Sequence, residues 1–282
     1  LAATFYLQED KTLSLIHVSH LTFGYPGSFD NIFEDVNFQI DTNWKLGFTG
    51  RNGRGKTTFL NLLLGKYEYN GCISASVDFE YFPFEVPEPT DNTIDIIRTI
   101  SSEHQDWEFV RELHLLQVPE DVLYRPFDTL SNGEQTKVLL AALFLKENSF
   151  LLIDEPTNHL DLLGRETVGD YLKKKSGFIL VSHDRYFLDK CIDHILSINK
   201  SNIEIERGNF SSWLINKQRQ DQFELAENEK LQKEIKRLEK TAREKAAWAD
   251  KAESRKIGFD PSKVEKSLGR RAIEGAKSKK AM

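Results

Sequence analysis

An α/β fold is the class this sequence predicts, and two observations predict it. An apolar stretch, residues 44–49, runs into the glycine loop Gly50-Arg51-Asn52-Gly53-Arg54-Gly55 and on into the leucine-rich residues 56–64. That is the order strand, loop, helix. Residues 150–154 and 178–182 are short unbroken apolar runs, of the kind buried on both faces of a parallel sheet.

Each element follows in order. Residues 13–18 and 36–40 alternate apolar with polar side chains, the period of a half-buried strand, so three strands precede the first helix. Residues 56–64 form that helix, ended near Gly65 as expected of a helix packed on a sheet. Asn70-Gly71 is a turn signal, and residues 72–81 read as one further alternating strand before Pro83, Pro87 and Pro89 break the chain. Residues 91–127 turn helical, with Asn92 or Thr93 capping one helix and Ser101 or Ser102 the next. This is a helical insert within the α/β unit. The loop at Leu130 to Gln135 then opens a strongly helical apolar run. Residues 195–199 and 203–206, joined through Lys200-Ser201-Asn202, form a hairpin, and the domain closes near Trp213.

The character changes after that. Leu231, Ile235, Leu238 and Ala242 recur at a 4-3-4 spacing through residues 218–256, the pattern of one long, mostly solvated helix. About 40 residues at 1.5 Å each reach roughly 60 Å. Gly258-Phe259-Asp260-Pro261 interrupts it, and a returning helix is expected from Arg270. From Lys217 onward there are 19 Lys+Arg against 12 Asp+Glu, in a chain whose net charge is −6, so an acidic body carries a basic tail.

Composition narrows the class further. A chain of 282 residues with 39% apolar content supports a core of ordinary size. Its longest apolar runs fall well short of the roughly 20 residues that cross a bilayer, so no membrane segment is expected. Cys72 and Cys191 are the only cysteines, which leaves no disulfide framework and no C-x-x-C metal or redox pair, and suits a reducing cytoplasm. The first residues lack the basic and apolar regions of a secretory signal. The sole methionine is Met282, so the chain is expected to be cut from a longer product.

Two motifs carry chemistry. Gly50 to Thr57 matches G-x-x-x-x-G-K-[ST] in its required setting between a strand and a helix. Glycines let backbone N–H groups turn toward phosphate oxygens, and the helix N-terminus adds partial positive charge. Lys56 is placed to hold the β and γ phosphates, and Thr57 to ligate Mg²⁺. The run at 150–154 ends in Asp154 and continues to Glu155, which sets two carboxylates at the edge of the sheet where the phosphates would lie. Asp154 suits a Mg²⁺ shell and Glu155 a base that orients attacking water. His183, after the run at 178–182, reaches the same edge, within hydrogen-bonding range of a γ-phosphate.

Together with Leu130-Ser131-Asn132-Gly133-Glu134-Gln135, Asn158-His159-Leu160-Asp161 and Ser182-His183-Asp184, these motifs resemble the ATP-binding cassette (ABC) ATPases across residues 13–213. The resemblance implies a P-loop NTPase cassette with an antiparallel β subdomain and a helical subdomain at about 85–145, using ATP and Mg²⁺. By the same resemblance Tyr25 stacks on adenine, the loop from Gly50 to Thr57 with Thr58 binds ATP, and His183 is the switch histidine. Ser131, Asn132, Gly133, Glu134 and Gln135 act on ATP held by a second cassette, and Asp161 couples the two sites. One cassette alone is then not a complete hydrolytic site. There is one departure: where the family carries Gln, this sequence has Phe84, which cannot ligate Mg²⁺ or orient water.

The variants LSNGEQTK, DEPTNHLD and SHDRYFLD are similar to the ABC-F class of soluble tandem-cassette translation factors. That likeness implies an N-terminal extension (1–12), a cassette (13–213) and an interdomain linker (214–282) truncated in its second helix. The linker would reach the ribosome, its rRNA and tRNA, where basic charge on an extended helix is what phosphate contact requires. The short segment from Phe84 to Leu130 resembles the branch that protects ribosomes against lincosamides, streptogramin A and pleuromutilins. Two other readings stay open: the energising subunit of a transporter docked on a separate permease, and a nonhydrolytic binding module.

Overall fold

The computed structural model describes residues 14–50, 53, 55–102, 104–199 and 202–257, with side chains described through Lys251. The N-terminal extension expected at 1–12, the loop residues Arg51, Asn52 and Arg54, and the break and returning helix expected at 258–282 lie outside the described residues. The chain divides into two units, Leu1–Lys217 and Gln218–Met282.

The first unit is α/β, with two sheets. Strands β1 (Leu15–Phe23), β2 (Phe33–Asp41) and β4 (Asn70–Ser74) form an antiparallel sheet in the order β2-β1-β4. The second sheet runs β5 (Asp78–Phe82), β6 (Ser149–Asp154), β7 (Phe178–Val181), β3 (Lys45–Thr49), β8 (His194–Asn199), β9 (Asn202–Arg207). Its first five strands are parallel, and β9 closes the edge as an antiparallel hairpin partner of β8.

Both faces of this sheet are covered, which is why its strands are continuous apolar runs. Successive side chains point to opposite faces. Leu151, Ile153, Phe178 and Leu180 enter the core shared with the helical segments, while Phe150, Leu152, Ile179 and Val181 enter the core under the antiparallel sheet. On that second side lies α1 (Lys56–Leu63), which buries Thr58, Phe59, Leu60, Leu62 and Leu63. The first side is packed by α2 (Thr93–Ile100), α3 (Asp106–Leu115) and α4 (Asn132–Leu145), with α5 (Leu162–Lys174) and α6 (Arg185–Cys191). Helix α4 buries every residue from Val138 to Leu143, so it is a core helix, apolar all round.

Two expectations are corrected. Residues 72–81 are not one strand: the chain leaves the antiparallel sheet after Ser74 and enters the parallel sheet at Asp78. Asn148 drives this transfer, because its side chain donates to the Ser76 carbonyl (3.1 Å) and its own carbonyl accepts from Asp78 N–H (2.9 Å). Nor does Ser101 or Ser102 cap the second helix of the insert. Ser101 closes α2, its N–H donating to Ile97 O at 2.9 Å, and α3 starts after Gln105, whose N–H donates to the Glu108 carboxylate at 3.0 Å.

The last helix, α7 (Phe210–Ile257), has 48 residues, and the expected boundary after residue 213 falls inside it. Its start is held in the first unit by the buried Phe210, whereas every residue of the second unit from 218 to 251 is exposed. No helix among the described residues is long and apolar enough to cross a membrane.

A buried polar cluster ties the helical insert to α5. Glu112 on α3 is 2% exposed; it accepts from Tyr171 OH at 2.7 Å and pairs with Lys175 Nζ at 2.6 Å. Burial pushes its carboxyl up, but the bonds from Lys175 and Tyr171 outweigh burial and hold it below its ordinary value of 4.5. Removing the phenol by Tyr171→Phe is expected to cost about 1.5–3 kcal/mol in urea unfolding, the range for hydrogen bonds to charged groups. A carboxyl depressed in the folded state contributes stability above its unfolded value and loses it as pH falls. The stability gap between the wild type and Glu112→Gln should therefore narrow below pH 4.5. A gap constant with pH would contradict this.

Candidate functional site

The C-terminal ends of β3, β6 and β7 lie side by side, because β6 pairs with β7 and β7 with β3 in parallel register. Whatever follows those strands is gathered at one edge of the sheet. After β3 comes the glycine loop, after β6 Asp154-Glu155, and after β7 His183. A cavity of about 700 Å³ opens there, lined by Lys56, Thr57, Asp154, Glu155 and His183, with Tyr25 at its side.

Gly55 shows why the loop needs glycine. It sits at φ 97° as the residue before α1, and a Cβ there would meet Ile32 Cγ2 at 2.5 Å. Lys56 opens the helix, and its ammonium donates to Gly50 O at 2.9 Å, folding the side chain back along the loop. Burial lowers the Lys56 pKa, against the pull of Glu155 and Asp154. Tyr25 is 41% exposed, packs edge-on against Phe23 and Tyr67, and its hydroxyl lies 2.9 Å from Thr58 Oγ1. Its ring is thus tied to the first turn of α1.

The two carboxylates occupy different surroundings. Asp154 ends β6 and accepts from Tyr81 OH at 3.1 Å; burial pushes it above its ordinary range. Glu155 follows at φ 49°, a left-handed backbone that a side chain rarely adopts and that is held here by its N–H bond to Val181 O at 2.9 Å. Its carboxylate accepts from His183 N–H at 3.3 Å and stands 3.4 Å from His183 Nε2. Burial raises Glu155 as well. The oxygen that faces His183 Nε2 is Oε1, buried at the wall of the cavity and without a hydrogen bond among the described residues. A buried acceptor at a cavity wall with no hydrogen bond of its own fits a water there. The hydroxyl of Thr57 and the carboxylate of Asp154 are hard oxygen donors that fit Mg²⁺, which takes few protein ligands and completes its shell with phosphate and water.

None of Ser131, Asn132, Gly133, Glu134 or Gln135 lines this cavity, although Asn132 and Gln135 line a neighbouring one of about 310 Å³ that Asp154 and Glu155 share. Ser131 caps α4, and its N–H and hydroxyl both donate to Glu134 Oε2 at 2.8 Å. Gln135 donates to Phe127 O at 2.9 Å. Asp161 caps α5, accepting from Gly164 N–H at 2.7 Å, just before the exposed Leu162 and Leu163. Arg51, Asn52 and Arg54 lie outside the described residues.

Sequence reading missed Tyr81 and Asn158 as cavity residues. Burial and the neighbouring carboxylate push the Tyr81 phenol up to about 12, so it stays a donor. Tyr81 falls within the alternating run 72–81, but only the pairing of β5 with β6 sets it beside Asp154.

Comparison with known proteins agrees with this geometry. Residues 33–158 match the family described as ABC transporter. The chain is 36% identical over 180 residues to the ribosome protection protein VmlR of Bacillus subtilis (strain 168), covering 61% of this chain and 32% of that protein. It is 27% identical over 209 residues to ABC transporter F family member 5 of Arabidopsis thaliana, covering 71% and 30%. The chain thus spans about a third of the length of these relatives. Among solved structures, the ATP-binding subunit of an ABC transporter shares the fold with a TM-score of 0.59 at 24% identity, over 71% of this chain and 91% of that one.

The loop geometry makes a graded prediction. Gly53 also has positive φ, 76°, but a Cβ there meets nothing within 4 Å. Gly53→Ala should carry only backbone strain, whereas Gly55→Ala adds a steric clash. Triphosphate affinity, measured calorimetrically, should fall at least about tenfold further for Gly55→Ala, equivalent to roughly 1.4 kcal/mol. Equal effects would contradict the packing argument.

Proposed function

We propose, on the premise that this chain carries a P-loop ATPase cassette of the ABC family, that it is one cassette of a two-cassette ABC-F ATPase that binds the ribosome and acts on translation. The observation that carries the reading is the convergence of Lys56, Thr57, Asp154, Glu155 and His183 on one cavity at the ends of three adjacent parallel strands.

In this reading the N–H groups of the glycine loop and the start of α1 cradle the phosphates, and Lys56 grips the β and γ oxygens. Thr57 and Asp154 hold Mg²⁺, which neutralises charge on the phosphates. Glu155 orients the attacking water and takes its proton, a role for which a carboxyl raised by burial is better suited than an ordinary one. His183, beside Glu155, reaches the γ-phosphate. Tyr25 offers its ring to adenine.

Ser131 and Gly133 serve ATP bound to a second cassette. Neither lines the local cavity, which supports this, as does the exposure of Leu162 and Leu163 beside the capping residue Asp161, an apolar surface suited to cover by a partner. ATP then acts as the joint between two cassettes, and hydrolysis releases them. The basic residues from Lys217 onward supply the RNA-contacting linker. Similarity to a ribosome protection protein supports a role in antibiotic resistance by ribosome protection, in the cytoplasm.

The test uses a two-cassette protein that contains this segment. Glu155→Gln should retain ATP, and the protein should accumulate on sedimented ribosomes, with binding weakened by salt. Ribosome association identical with and without nucleotide would contradict the proposal. Lys56→Ala should reduce phosphate release to background.

A further inference from the structure

The geometry points to Tyr81 as a positioning residue for Asp154, supplying a polar group at the corner of the cavity where Phe84 supplies none. This inference rests on the nucleotide-binding reading above and concerns how its cation site is held.

Phe84 is half-buried against the core of the helical insert and lines two smaller cavities, of about 310 and 280 Å³. The first of these is shared with Asp154 and Glu155, but Phe84 does not line the cavity of Lys56, Thr57 and Tyr81, and its ring offers the carboxylates no hydrogen bond. Three residues earlier the pleat of β5 places Tyr81 on the opposite sheet face from Phe82, the face on which α1 packs. Tyr81 lines the cavity together with Lys56, Thr57 and Asp154, and its hydroxyl donates to Asp154 Oδ2 at 3.1 Å. The other end of the ring is also held, with Lys66 Nζ lying 5.4 Å over its face.

An ionised carboxylate only accepts hydrogen bonds, so a donor fixed on one oxygen sets the plane of the group and leaves a cation to meet the other. Without the phenol, Asp154 keeps its charge but loses that orientation. Packing is unaffected by the same change, because phenylalanine fills the ring volume.

Binding of a fluorescent ATP analogue to the chain and to its Tyr81→Phe variant separates these effects. In chelator, the two proteins should bind within about twofold of each other. In a Mg²⁺ titration, the midpoint of the metal-dependent increase should move up roughly tenfold in the variant, the lower end of what losing an outer partner of a metal ligand costs. Mn²⁺ binding in the presence of a nonhydrolysable analogue, read by electron paramagnetic resonance, should weaken by a similar factor. A purely structural role would lower the melting temperature and leave both metal midpoints where they were. Unshifted midpoints in a variant whose wild type shows metal-dependent binding would overturn this inference alone. A wild type with no metal-dependent nucleotide binding would overturn it together with the reading of the site.

Discussion

Parallel pairing of β6 with β7, and of β7 with β3, is the constraint from which the site follows. The groups come from separate stretches of chain: Gly50 stands 104 residues before Asp154, and Asp154 stands 29 before His183. Only a sheet with Asp154 opposite Val181, and Gly47 opposite Leu180, sets them at one edge. Parallel strands need both faces covered. The fold meets that need by packing the antiparallel sheet and α1 on one side and the helical insert on the other. The helical side therefore does two things: it completes the core, and it sets Asn132 and Gln135 of α4 on a second cavity that Asp154 and Glu155 share.

How much of this was legible in the sequence depends on the kind of pattern. The glycine loop, the acidic strand and the buried runs were legible because each is a local consequence of backbone geometry or of two-sided burial. The break at residues 75–77 was not, since alternation continues across it and only a contact from the distant Asn148 reveals the change of sheet. The start of α3 was misplaced for a related reason. Serines at 101 and 102 have the chemistry of a cap, but a reciprocal bond between Gln105 and Glu108 takes the position instead. Tyr81 was hidden because its partner, Asp154, comes from the neighbouring strand.

The site carries local strain and desolvation that a stability optimum would avoid. Glu155 adopts a left-handed backbone, Asp154 and Glu155 are both raised by burial, and the Lys56 ammonium is lowered by it. Such costs persist where the surrounding structure over-determines them, and they concentrate where charge is to be met by a ligand. In the proposed reading Lys56 would meet the phosphates, Asp154 the metal and Glu155 the attacking water.

The central claim is that this cavity recognises the phosphate chain. Calorimetric affinities of the chain for ATP, ADP and AMP, each with Mg²⁺, test it most directly. The account predicts affinity that rises with phosphate number and loses that dependence in Lys56→Ala. Equal binding of the three nucleotides, or a phosphate dependence unchanged by Lys56→Ala, would contradict it.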